Sequence, residues 1–489
     1  MIDEEAARRE RLSQIQKNGI NAYPARSLRT HTIARALSAF QQLEESHDPF
    51  TIVGRVRSRR VHGGVAFLDL EDGTERMQAV CKKDAVGDDV FDSIVNKFDI
   101  ADFLQISGTA FTTKTSQKSI LASGIVLLSK ALLPLPEKWH GLSDIEARFR
   151  KRYLDLIANP QVRSNFITRD AIVQTIRNFL RENGYMEVET PILQTLAGGA
   201  SAKPFVTHHN ALEMDMYLRV APELFLKRLI VGGFERVFEF AKCFRNEGVD
   251  HSHNPEFTQV EGYQAYMDYE QLMEMIEQLM PKLAVASGKD SSAVSYAGKI
   301  LDFTPPYERI TFRDAVLAHA KIDINEFEGI EDARKSAKNI GIEFDKTWSY
   351  GKLLDEIYKE TTRPHLVQPM FLIDHPVELS PLAKKKQSNP KVVERFQLLI
   401  DGMEVVNAFS ELNDPLDQEE RFRQQQDARE GGDAEAQPFD SDYVEALMHG
   451  MPPTAGFGIG IDRLTSIFTD THNIKEVILF PTLKNEQEK

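Results

Sequence analysis

A change of texture near residue 131 constrains this chain more than any other feature. Between about Pro49 and Lys130 the sequence runs in short β-rich segments, TIVGRVRSRRV, GVAFLDLEDG, RMQAVCKK, DFLQISGTAFTT and SILASGIVLLS, broken by Gly, Asp and Lys-Thr turns. Runs this short each bury a single face, so five of them within about 80 residues must share one core. A small closed barrel of the OB type satisfies all five. Leu132-Leu133-Pro134-Leu135-Pro136 then reads as a stiff linker. Beyond it the period changes: Ile172, Val173, Ile176, Phe179 and Leu180 follow helical spacing, and Asn183-Gly184 closes that helix before a strand from Met186 to Thr190.

This gives an expected layout of a helical leader over 1–48, a barrel over 49–131, a linker over 132–149 and an α+β domain over 150–489, with a helical insert at about 269–365. The Arg-rich pattern from Glu4 to about Gly19 reads as a solvated helix, and the polar stretch Gln424 to Gln437 as a mobile surface loop.

Charge and cysteine usage narrow the function. A formal net charge of -15 excludes indiscriminate nucleic-acid binding, so any RNA contact must rest on a local basic patch. Arg55, Arg57, Arg59 and Arg60 supply one, and the first three alternate so as to project from one strand face, with Phe67 nearby as a stacking surface. Cys81 and Cys243 stand apart with no metal-ligand spacing, which predicts two reduced, packed thiols. The acidic start Met1-Ile2-Asp3-Glu4-Glu5 and the lack of an apolar run of about 20 residues predict a cytoplasmic chain with no membrane segment.

Three segments carry chemistry. In VFEFAKCFR, strand alternation puts Glu239, Ala241, Cys243 and Arg245 on one face; in FTQVEGY it does the same for Phe257, Gln259, Glu261 and Tyr263. Paired as a hairpin across the polar loop NEGVDHSHNPE, the two rows meet. In AGFGIGIDRLTSIF a glycine-dense strand runs into a helix starting near Asp462, which leaves Arg463 at a helix N-terminus, where a bound anion would offset its unfavourable dipole. Neither GxGxxG nor GxxxxGK[ST] is present. In ERFQLLIDGMEVVNAFSELND, Asp401-Gly402 is a two-residue turn and the second strand aligns Asn407, Phe409 and Glu411. With Glu223 of APELFLKR and Glu261 this gives several carboxylates, one or more of them expected to aim at a common pocket.

Together these segments resemble the signature motifs of class II aminoacyl-tRNA synthetases, and within that class the lysine-specific family. GYMEVETP (184–191), FRNEG…HNPEFTQVE (244–261) and GIGIDRL (458–464) match motifs one, two and three; Gly198 to Ala200, APELFLKR, PVELSPLAK and NAFSELNDP match lysine-type segments, and the resemblance runs from about Asn21 to Pro481. It implies an antiparallel six-stranded catalytic sheet with flanking helices, an N-terminal OB-fold anticodon-binding barrel, and a homodimer formed through motif one. The activity implied is ATP-dependent ligation of L-lysine to tRNA(Lys), with Mg2+ as cofactor. Aspartyl and asparaginyl enzymes are the nearest alternatives, and a non-catalytic tRNA-binding paralogue or a protein-lysylating relative stand further off.

The resemblance also carries residue roles. Arg245 and Arg463 resemble the catalytic arginines at the α- and γ-phosphates, and Glu247, His253, Asn254, Phe257 and Glu404 the rest of the ATP site. Glu223, Tyr263 and Glu411 correspond to ligands of the lysine side-chain amine, Glu261 and the Gly199 carbonyl to those of the α-amine, Asn407 with Arg245 to those of the carboxylate, and Phe409 to the wall along the aliphatic stem. Glu404 matches one of two metal carboxylates, but Gln397 stands where the family usually has the other. In the barrel, Arg60, Phe67 and Gln78 match anticodon readers, and Gly124 takes a position often acidic in the family.

Overall fold

The computed structural model describes residues 2–136, 142, 144–345, 348–431 and 436–484. The chain divides into two compact units, Met1–Ser143 and Asp144–Lys489. Residues 137–141 and 143 of the expected linker and 432–435 of the expected loop lie outside the described residues.

In the first unit a helix, α1 (Ile2–Lys17), precedes β1 (Phe50–His62), β2 (Val65–Glu71), β3 (Arg76–Lys82), β4 (Phe103–Thr112) and β5 (Lys118–Ser129). They close into a barrel in the order β1-β2-β3-β5-β4, so each β-rich run of the sequence became one stave. Ile52, Val56, Leu68, Leu70, Ala79, Leu104, Ile106, Ile120 and Leu127 fill its interior, joined by Ile15 and Phe40 from outside the barrel. The leader is therefore not solvated all round. Arg8, only 3 % exposed, donates to the carbonyls of Ile100, Ala131 and Leu133, a use of charge that periodicity does not reveal.

The arginine face of β1 also departs from expectation. An extra residue between Val56 and Ser58 shifts the register against β2, and such a bulge reverses which side the following residues take. Arg57 then pairs with Glu71 at 2.7 Å, Arg55 lies over the Phe103 ring, and Arg59 lies over Phe98 while donating to the Val95 carbonyl. Arg60 remains exposed, opposite Phe67 in register.

The second unit is built on one mixed sheet. Its elements, in chain order, are α2 (Pro160–Glu182), β6 (Met186–Glu187), α3 (Glu223–Val231), β7 (Arg236–Phe244), β8 (Glu256–Ala265), α4 (Tyr269–Ala286), β9 (Glu308–Thr311), α5 (Phe312–Ala320), α6 (Ile330–Asn339), α7 (Tyr350–Thr361), β10 (Met370–Ile373), β11 (Arg395–Ile400), β12 (Met403–Ser410), α8 (Pro415–Glu430), α9 (Ser441–Met448), β13 (Thr454–Gly460) and α10 (Ile461–Phe468). The sheet order is β9-β10-β11-β12-β13-β8-β7-β6. The six middle strands are antiparallel throughout, matching the architecture the resemblance implies. A short parallel strand is added at each edge, β9 against β10 and β6 against β7. Strands of four and two residues are too short to show a period, which is why the sheet is wider than six.

Two segments take other roles than expected. Within 269–365, α4 is no appendage: Leu272, Ile276, Leu279, Met280 and Leu283 are buried in the same core as Phe238, Val260, Phe396 and Phe457 of the sheet. Helices α5 to α7 instead share a separate core around Phe312, Leu353 and Ile357. The polar stretch from Gln424 is helical through Glu430, capped at its start by the Asp414 side chain and laced by Asp417–Arg421 and Glu419–Arg423 pairs. A helix held by charge pairs carries little apolar period, so it reads as a loop.

Candidate active site

The register around β13 explains the glycines of the sequence. On one side Gly460, Gly458 and Gly456 face Gln259, Glu261 and Tyr263 of β8; on the other, Gly458 and Gly456 face Asn407 and Phe409 of β12. A strip without side chains between two rows of large ones is a trough, not a nucleotide loop. A Cβ on Gly456 would strike Tyr263 and a Glu411 carboxylate oxygen. The cavity over this trough measures about 410 Å³.

Its walls bring together most of the expected residues: Gly199, Glu223, Arg245, Glu247, His253, Asn254, Phe257, Glu261, Tyr263, Glu404, Asn407, Phe409 and Arg463 all line it. Glu404 reaches this face through a second bulge. Gln397 pairs with Asn407, yet Leu399 pairs with Glu404, and the skipped residue puts Glu404 on the Asn407 side. The turn between these strands holds Asp401 and Gly402 at φ 51° and 69°, the mirror-image geometry a two-residue hairpin needs.

One end of the cavity is acidic and buried. Glu223 and Glu261 are 8 % and 6 % exposed, and Glu261 accepts from the Tyr263 hydroxyl at 3.3 Å and from the Gln259 amide. Burial, reinforced by the Glu223 charge, pushes Glu261 up to about 8. Glu411 does not line the cavity; it lies behind the wall, where its carboxylate meets the ammonium of Lys227. Lys227, fully buried, also pairs with Glu223 at 2.5 Å. Burial alone would lower the Lys227 ammonium, but the two carboxylates outweigh it and hold it above its ordinary value. Sequence reading passed over Lys227 because a lysine on a helix is normally solvated; its i,i+4 spacing from Glu223 was the available signal.

The other end is basic. Arg245 stacks over Phe257 with its carbon centre 5.0 Å from the ring, and its buried Nε has no hydrogen-bond partner among the described residues, an orphaned donor that an incoming anion would satisfy. Arg463 donates to the Glu404 carbonyl at 2.8 Å and approaches His253 Nε2 at 3.3 Å. An arginine has no acceptor, so Nε2 carries the lone pair and His253 holds its proton on Nδ1, toward Asp250 at 2.9 Å. Asn254 spends its amide structurally, donating to the Glu256 carbonyl and accepting from the Thr482 N–H.

Two further residues escaped the sequence reading. Arg395 donates to Asn407 Oδ1 at 2.9 Å, which turns the Asn407 amide nitrogen free as a donor. Gln437, within the stretch taken for a mobile loop, is 3 % exposed and accepts from the Gly199 N–H at 3.3 Å. The metal pair fits only in part. Gln397 is absent from the cavity wall, and its amide nitrogen donates to Glu404, so its oxygen is turned away from that carboxylate. No cluster of three His, Cys, Asp or Glu ligands occurs among the described residues. Glu404 is left as one cavity-facing carboxylate, which suits a cation carried mainly by phosphates and water.

A glycine trough in an antiparallel sheet, with buried carboxylates and arginines along its walls, defines a class II synthetase site. Residues 144–484 match the family model of tRNA synthetases class II (D, K and N), and residues 50–128 that of the OB-fold nucleic acid binding domain; the chain belongs to this synthetase family. It is similar along its length to lysine–tRNA ligases. That of Roseiflexus sp. (strain RS-1) is 50% identical over 97% of both chains. That of Pelotomaculum thermopropionicum is 46% identical over 98% of this chain and 94% of its own, and the heat-inducible one of Escherichia coli (strain K12) 45% over 99% and 97%.

Proposed function

We propose that the cavity binds L-lysine at its acidic end and ATP at its basic end, forms lysyl-adenylate, and passes the lysyl group to tRNA(Lys). The carrying observation is the opposition of the two ends: buried Glu223 and Glu261 beside Tyr263 at one, the unpartnered Arg245 donor and Arg463 at the other. The side-chain ammonium lies against Glu223 and Tyr263 with Phe409 along the stem. The α-ammonium meets Glu261 and the Gly199 carbonyl, and Asn407 donates to the carboxylate. A carboxylate oxygen attacks the α-phosphorus and pyrophosphate leaves, while Arg245 offsets the charge that gathers on the α-phosphate oxygens and Arg463, steadied by His253, holds the departing phosphates. Phe257 stacks on adenine, and Glu247 and Asn254 belong to the loop that closes over the nucleotide. Glu404 is the residue that would hold Mg2+, whose chemistry is to neutralise phosphate charge; Gln397 takes no part.

The barrel reads the anticodon through exposed Arg60 and half-buried Phe67 and Gln78. The Gln78 carbonyl accepts from the Ser119 hydroxyl at 3.0 Å, so its amide N–H groups remain for a base. A Cβ at Gly124 would touch only the Ser107 side chain, at 3.9 Å, so the acidic side chain common in the family is missing there for no steric reason. The reading includes a homodimer, supported by the exposed apolar side chains Met186, Ile192, Leu193, Val206 and Leu212 around motif one. It also includes a cytoplasmic location; no helix among the described residues is long and apolar enough to cross a membrane.

The test is ATP–pyrophosphate exchange with each of the twenty amino acids. Exchange stimulated by lysine alone is expected; exchange with aspartate or asparagine, or none at all from folded protein, overturns the reading. Sedimentation at micromolar concentration is expected to show a dimer, and a monomer contradicts that part.

A further inference from the structure

We propose that Lys227 is a specificity-determining counter-ion, a positioning residue whose buried ammonium fixes the net charge that Glu223 and Glu411 present to the side chain of the amino-acid substrate. The proposal deepens the reading above and rests on it. Lys227 is fully buried and touches one oxygen of each carboxylate. Its Nζ lies 5.8 Å from the Tyr263 ring and 5.3 Å from the Phe409 ring. Those two rings line the cavity and Lys227 does not, so its ammonium sits behind the wall and cannot compete with a ligand for the same space.

The charge count then closes. Burial raises both Glu261 and Glu411, so the count applies to the lysine-bound state with all three carboxylates ionised: Glu223, Glu261 and Glu411 supply three negative charges, and Lys227 with the two ammonium groups of lysine supplies three positive ones. Nearby charges are matched elsewhere: Arg228 pairs with Asp440 and Asp442, while Arg245 takes the substrate carboxylate and Arg395, held on Asn407, offsets Glu404. Tyr263 and Tyr443, the other titratable groups against Lys227, are neutral because burial raises both hydroxyls further. In a buried pocket one unmatched charge is costly, so the count sets which side chain fits.

The test is a charge cycle read as KM for lysine and KM for ATP in pyrophosphate exchange, with the lysine dissociation constant measured by calorimetry. Glu411→Gln leaves Lys227 to cancel Glu223, and Lys227→Met leaves two carboxylates for one ammonium. Each single change is expected to weaken lysine about thirtyfold or more while ATP shifts no more than about threefold. The double variant leaves Glu223 alone against the substrate ammonium and is expected to bind lysine at least about tenfold tighter than either single variant. A double variant as weak as the product of the two single losses, or a Lys227→Met protein with the lysine KM of the parent, overturns the proposal. Thermal melts identify a Lys227→Met chain that does not fold. In that case a double variant that folds and binds lysine more tightly than Glu411→Gln supports the count, and one that does not overturns it. A parent protein with no lysine-dependent exchange removes the underlying reading as well, whereas intact exchange with no compensation removes the counter-ion alone.

Discussion

The cavity and the barrel face are built for contact by opposite means. In the cavity, charges are fixed before any ligand arrives: Lys227 holds Glu223 and Glu411, Arg395 orients Asn407, and Arg463 is tied to the Glu404 carbonyl. On β1 of the barrel Arg55, ahead of the bulge, and Arg57 and Arg59, at and beyond it, take internal partners, while Arg60 is left in solvent beside Phe67. A preset, buried arrangement loses heavily when one member goes, since the rest stay charged and stranded, while an exposed face loses only the contact removed.

The largest effect expected is therefore at the cavity's basic end. Arg245→Ala removes the donor with the unpartnered Nε, and kcat for lysine-dependent pyrophosphate exchange should fall about 10²–10³-fold. A fall of less than about tenfold would break the comparison, because Arg245 would then be replaceable by water as a surface residue is. Glu223→Gln comes next. It weakens the match to the lysine ammonium and leaves Lys227 with one charged partner, so the lysine KM should rise about thirtyfold or more with ATP little changed. Equal rises in both would mean the change disturbs the trough rather than the amino-acid end.

The acidic end should also bind lysine with a marked pH dependence. In the empty pocket three carboxylates share one ammonium, and burial holds Glu261 at about 8. Lysine needs that group ionised, so binding expels its proton: affinity is low where Glu261 is protonated and rises with pH, by up to about tenfold per unit, until about pH 8. Calorimetry in buffers of different ionisation enthalpy reads both the slope and the proton released. A flat affinity between pH 6 and 8 with no proton release would show that Glu261 is already ionised in the free protein, and that the acidic end is wetter than its burial implies.

Legibility in the sequence followed the range of the interaction. The five barrel strands, the hairpin rows Glu239–Cys243 and Phe257–Tyr263, and the Asp401-Gly402 turn were readable because period and turn chemistry are local. The two bulges were not, since an extra residue shows only against a partner strand. One of them decides that Glu404 joins the cavity face, the other that Arg60 rather than Arg59 shares the face of Arg55. Resemblance supplied the names of the site residues but not their coupling. It gave Glu223 and Glu411 as a pair for the substrate amine and was silent on Lys227 between them. It offered Gln397 as a weak metal ligand, whereas its amide nitrogen faces Glu404. The glycines of β13 read as a dense run in a strand, but their role as the floor of a trough is visible only once both neighbouring strands are known.

The smallest effects are expected on the barrel, where they separate its two kinds of contact. Phe67→Ala removes a stacking face and should raise the KM for tRNA about tenfold, with little dependence on salt, because stacking carries no net charge. Arg60→Ala removes one exposed cation that has no ion pair among the described residues. Its cost should be a few-fold at low ionic strength and shrink as salt rises, and the slope of log affinity against log salt should fall by about one. Neither change should move the KM for lysine. If Arg60→Ala instead cost as much as Phe67→Ala and kept that cost at high salt, Arg60 would be making a desolvated, base-specific contact. The barrel face would then work, like the cavity, by charge fixed in advance.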